Sequence, residues 1–125
     1  MPAKPPLTSD IQMDIFSSIR IYFFETPSGK SPIKKFIDGL PRPDLARFLE
    51  EIEAHGLNAS RVIFKPLEGK LWEIKFNSPS SGYRVLYVLL EKDMMIWLHV
   101  FSKKTQKTPK RELNLARKRL KEVLK

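Results

Sequence analysis

The stretch FSKKTQKTPKRE, Phe101 to Glu112, sets five cations within nine residues: Lys103, Lys104, Lys107, Lys110 and Arg111. Charges crowded this closely repel one another, and an anion is what relieves them. The chemistry open to such a group is charge stabilisation, either of a bound phosphate or of a phosphoryl transition state whose oxygens gain negative charge. Thr108 and Pro109 read as the cap and first residue of a helix. Lys110 and Arg111 then fall in its first turn, where the helix dipole is already positive and each cation costs roughly a few tenths of a kcal/mol. Glu112 offsets only part of that cost. Free backbone N–H groups, dipole and cations together form an anion site, and a bound phosphate reverses the sign of the penalty. A solvated lysine-rich turn is the plainer alternative, and the local electrostatics weigh against it.

Arg84 follows Tyr83 at the start of the apolar run YRVLYVLL. A charge there belongs at a sheet rim or beside a partner. Two readings stand: an ion pair with Glu73 across a hairpin, or a guanidinium aimed at a phosphate, which it can grip through two parallel hydrogen bonds. Lys75 alternates onto the polar face of the preceding strand and lies near Arg84 if the hairpin register allows. Lys65 and Lys70, flanking PLEG, add charge near the same sheet, although as isolated lysines they read as solvated. His99 alternates with Trp97 and Phe101 and reads as structural; His55 reads as a partner for a helix C-terminus. No cysteine occurs, so thiolate zinc sites and disulfides are excluded, and no second histidine neighbours the first to suggest a metal site or a paired-histidine ribonuclease. No nucleophile elbow or glycine-rich phosphate loop occurs either. No metal or cofactor is expected.

These residues need a scaffold, and the patterning supplies one. Residues 1–18 are proline-bearing and weakly patterned, an N-terminal arm with room for a short helix; residues 19–125 form the domain proper. IRIYFFET (Ile19–Thr26) is a first strand, rich in β-branched and aromatic residues. Ser31 and Pro32 open a short helix carrying Ile33, Phe36 and Ile37 on one side. Leu45, Phe48, Leu49 and Ile52 make the stripe of a second helix that stops at Gly56. KLWEIKF, YRVLYVLL and MMIWLHVF follow as a three-stranded antiparallel meander with short links, the first of them alternating Trp72, Ile74 and Phe76 against Glu73 and Lys75. A last helix from about Pro109 buries Leu113, Ala116, Leu120 and Leu124. Strand, two helices, three strands and a helix make an α+β fold.

At 125 residues the chain has room for one core, and its 42% hydrophobic content is that of a globular protein. No apolar run approaches the roughly 20 residues that span a bilayer, and the N-terminus lacks the pattern of a secretory signal. A cytoplasmic protein with no membrane partner is expected. The net charge of +9 is segregated: residues 1–60 carry seven Lys/Arg against eight Asp/Glu, and residues 61–125 sixteen against six. Such asymmetry is an electrostatic footprint for a polyanion.

Taken together, KLWEIKF, SGYRVLYVLL and FSKKTQKTP, with GKSPIKKFIDGLP upstream, resemble the phage-derived, HigB-type branch of the RelE toxin superfamily. The resemblance spans roughly residues 19–121 and is densest in the last third. It implies a RelE/ParE-like fold with a curved antiparallel sheet, built of the N-terminal strand and the meander. It also implies a type II toxin–antitoxin toxin that cleaves mRNA without a metal, commonly on the ribosome, and so inhibits translation. The implied partners are mRNA, the ribosome and a cognate antitoxin of helix-turn-helix type, through which the complex would bind operator DNA. By motif, Arg84 matches the arginine of the Y-R pair, Lys75 a strand lysine or arginine of RelE-like sites, and Lys103 and Lys104 the basic post-strand position. These four are the expected catalytic residues: Arg84 and Lys104 for phosphate stabilisation, Lys103 or Lys75 as base. Lys65, Lys70, Lys107, Lys110 and Arg111 are the expected RNA contacts. RelE itself uses a tyrosine in its last helix, which RELNLARKRLKEVLK lacks, so the proton-transfer groups stay open. Two rival readings are a ParE-like gyrase poison and a domesticated, non-catalytic binding module.

Overall fold

The structure is a computed structural model that describes residues 20–40, 62–77, 82–91, 93–102 and 107–125. The N-terminal arm, the second helix expected over Leu45–Ile52, His55, and Lys103 and Lys104 lie outside the described residues.

Among these, five strands and two helices appear in the order β1 (Arg20–Phe23), α1 (Pro32–Asp38), β2 (Val62–Glu68), β3 (Leu71–Asn77), β4 (Gly82–Leu90), β5 (Met94–Ser102) and α2 (Lys110–Val123). They form an α+β arrangement around one sheet of order β1-β5-β4-β3-β2. The meander is real but has four strands, because β2 pairs antiparallel with β3. β1 runs parallel to β5, so the sheet is mixed and not wholly antiparallel. The chain leaves β1 at one edge and re-enters the sheet at the other, which a hairpin cannot do.

β2 escapes the pattern reading for an identifiable reason. Pro66 breaks a run that otherwise reads as a strand, and proline is tolerated where a strand forms a sheet edge. β2 holds that edge, with a register irregularity between Pro66 and Glu68. The turn to β3 is two residues long and begins at Gly69, whose φ of 52° lies in the left-handed region that glycine enters without steric cost.

The short helix α1 starts as expected. Ser31 accepts a hydrogen bond from the Lys34 N–H at 3.4 Å, Pro32 is the first helical residue, and Ile33 and Ile37 are buried. α2 starts differently. Pro109 is the extended cap residue, and no side chain caps the helix; the Thr108 hydroxyl is engaged elsewhere. Ala116 is fully buried with Leu113 and Leu120 partly so, whereas Leu124 lies past the helix end and is exposed.

The core is centred on β4 and β5. Trp97, Tyr87, Phe23, Ile21 and Met95 are buried on one sheet face, with the Phe23 and Trp97 rings 5.4 Å apart. The other face carries Leu71, Glu73, Leu86, Val88, Ile96 and His99, and α2 lies across it. Three contacts fix that placement: Thr108 on Glu73, Glu112 on His99, and Arg117 on Glu68 through two bonds of 2.7 Å. β3 is therefore covered on its polar side, and Glu73 is 0% exposed, whereas Trp72 is partly exposed.

Candidate functional site

Strand register decides which cations meet. Lys75 stands directly opposite Arg84 across β3 and β4, and Arg84 directly opposite Phe101 across β4 and β5. Cross-strand partners share a sheet face, so Ile63, Lys75, Arg84 and Phe101 form one row across four strands. The next row runs Lys65, Glu73, Leu86 and His99. Both rows lie on the face that α2 crosses.

Arg84 is the floor of this site and Lys75 its rim. The Arg84 side chain is 9% exposed, with Nη1 3.4 Å from Glu73 Oε2. The ion pair that the sequence left as one of two readings is thus present. Lys75 is half-buried beside it, and Lys65 is exposed opposite Glu73. Two adjacent cations with a carboxylate behind them leave excess positive charge at this end of the sheet.

Lys107 and the start of α2 are tied to the same place. Thr108 Oγ1 donates to Glu73 Oε2 at 2.6 Å, so the residue just after Lys107 touches the carboxylate that touches Arg84. Lys107, Lys110 and Arg111 are exposed around that point, the last two in the first turn of α2. Lys70 is not brought here. It occupies the β2–β3 turn at the far end of β3, about 16 Å from Lys75 along an extended strand. There it lines an open groove with Trp72, Tyr87 and Leu89.

His99 is structural, and the structure says why. Its Nε2 lies 2.6 Å from Glu112 Oε1 and its Nδ1 lies 3.4 Å from Arg119 Nη1. A neutral ring protonated at Nε2 satisfies both contacts, donating to the carboxylate and accepting from the guanidinium. Burial holds its pKa below the ordinary histidine value; the Glu112 bond and charge oppose that shift and Arg119 adds to it. With both nitrogens engaged, no lone pair is left for a substrate hydroxyl. Arg119 also donates to the Leu98 carbonyl at 2.8 Å, where a bulge interrupts the β4–β5 ladder. Among the described residues no cluster of three metal-ligating side chains occurs, and no helix is long and apolar enough to cross a membrane.

From the sequence, Arg84 and Lys75 stand out as site candidates, Glu73 only as an ion-pair partner and Thr108 only as a helix cap. A signal for Glu73 is present in its flanking residues, Trp72 and Ile74, but its burial follows from α2 crossing that face of the sheet. Nothing in the spacing paired it with Thr108, 35 residues away.

Residues 35–121 match the family model described as phage-derived protein Gp49-like. No curated protein matches the chain.

Proposed function

The chain belongs to the Gp49-like family of phage-derived proteins, a toxin-like family of RelE/HigB type found in toxin–antitoxin systems, and from that premise we propose that it is a type II toxin of the HigB-type branch with a RelE/ParE-like fold, a metal-independent endoribonuclease that cuts mRNA on the ribosome in the cytoplasm. The family's setting implies an antitoxin partner; we take it to be of helix-turn-helix type, with the complex reaching operator DNA through it.

One observation carries the reading. Lys75 and Arg84 are register partners on one sheet face, and the Thr108–Glu73 bond brings the end of the lysine-rich turn to the same spot. A phosphate seated there meets Lys75 at the rim and Arg84 at the floor. The reaction is attack of a ribose 2′-oxygen on the adjacent phosphorus with cleavage of the P–O5′ bond, leaving a 2′,3′-cyclic phosphate. The 2′-hydroxyl proton passes to a base, for which Lys75 or Lys103 serves as the neutral amine, and the departing 5′-oxygen takes a proton from water. Arg84 and Lys104 stabilise the charge that gathers on the phosphoryl oxygens, the dominant contribution in sites of this kind. Lys65, Lys107, Lys110 and Arg111 hold flanking phosphates, and Lys70 contacts RNA several nucleotides away. The ribosome supplies the in-line geometry that so sparse a set of groups does not impose unaided.

Inducing the chain without an antitoxin and mapping transcript ends tests this. Discrete mRNA cuts are expected, and they are strongly reduced in Arg84→Lys, which keeps the charge but not the fork. Intact transcripts with a DNA-damage response would favour gyrase as target; intact transcripts with neither would favour a non-catalytic module.

A further inference from the structure

Glu73 is a fully buried carboxylate, 0% exposed, in the middle of a strand. Replacing such a buried ionic group with apolar side chains is often neutral or even stabilising, so stability alone is a weak reason for its presence. Its contacts are specific. Oε2 accepts the Thr108 hydroxyl at 2.6 Å and faces Arg84 Nη1 at 3.4 Å, while Oε1 is buried with no hydrogen-bond partner among the described residues. Thr108, which the sequence offers as the cap of α2, stands one residue before the cap residue Pro109. Its hydroxyl is turned to a strand 35 residues distant instead, and the helix starts without a side-chain cap.

We infer that Glu73 and Thr108 are positioning residues: the Thr108–Glu73–Arg84 relay sets the angle of the Arg84 guanidinium and fixes the end of the lysine-rich turn against it, so that both meet one phosphate. The inference rests on the ribonuclease reading for its consequence, but its geometry can be tested separately. The carboxylate does not touch substrate. It holds the group that does, and the threonine transmits the position of the turn to that group. A displacement of about 1 Å in such an arrangement costs on the order of 100-fold in rate.

Thr108→Val keeps the shape and deletes the hydroxyl, Thr108→Ser restores it, and Glu73→Gln keeps the size and removes the charge. The full-length variants are compared on ribosomes programmed with a labelled mRNA. Thr108→Val is expected to cut about 10- to 100-fold more slowly at saturating ribosomes, with the half-saturating concentration within about twofold of wild type. Thr108→Ser should recover most of that loss, which a merely structural role would not require. Independently of any cutting, NMR of the arginine side chains should show restricted Arg84 guanidinium rotation in wild type and Thr108→Ser, and faster rotation in Glu73→Gln and Thr108→Val. Wild-type cutting by Thr108→Val, or Arg84 rotation that no variant alters, would overturn the relay. A wild-type chain that cuts no RNA but shows the rotational pattern would keep the relay and reject the ribonuclease reading.

Discussion

At Arg84 two demands meet in one side chain. It compensates the buried charge of Glu73, and in the proposed reaction it stabilises a phosphoryl oxygen. Removing it should therefore harm the fold as well as the chemistry. Arg84→Ala leaves Glu73 buried with only the Thr108 hydroxyl among its described partners, and breaking a buried pair in this way costs about 3–5 kcal/mol. Urea unfolding should show that loss, and a variant with Glu73→Leu added to Arg84→Ala should recover most of it. An Arg84→Ala protein as stable as wild type would mean that the pair is not coupled. Loss of toxicity in the alanine variant is thus ambiguous unless folding is measured beside it, which is why lysine is the better substitution for function.

Among the elements, α2 is held to the sheet by polar contacts spaced along it: Glu112 on His99, Arg117 on Glu68 and Arg119 on the Leu98 carbonyl. The first of these is sensitive to pH. Burial keeps the folded-state pKa of His99 below its unfolded value, with Glu112 opposing and Arg119 adding to the effect. The unfolded chain therefore binds the proton more readily, and the stability His99 contributes is fully present above its unfolded pKa, about 6.5, and is lost as pH falls through the folded value. A Tm that declines from pH 7.5 to pH 5 in wild type, and declines less in His99→Gln, is expected; equal declines would contradict it. The elements also show what could be read from residues alone. Ser31-Pro32, the β3–β5 meander and the buried Ala116 followed from local rules of capping, alternation and helical spacing. β2 did not, because Pro66 hides an edge strand. The parallel pairing of β1 did not, because direction depends on where the chain re-enters the sheet. Glu73 alternates onto the polar face of its strand, and it is buried because α2 covers that face.

Across the whole molecule, the described cations of the second half gather in space. The late strands and the start of α2 carry the excess of cations, and register and the Thr108–Glu73 bond gather Lys65, Lys75, Arg84, Lys107, Lys110 and Arg111 toward one end of the sheet, leaving Lys70 at the other. The central claim is convergence: Lys75 and Arg84 act on one phosphate. Groups acting as a unit on one transition state are not additive, whereas independent groups multiply their effects. The most direct measurement is a double-mutant cycle on the rate of mRNA cutting by wild type, Lys75→Ala, Arg84→Lys and the double variant. Each single substitution should slow cutting by about 100- to 1000-fold, and the double variant should be little slower than the worse single one. A double variant slowed by the full product of the two factors would contradict the claim.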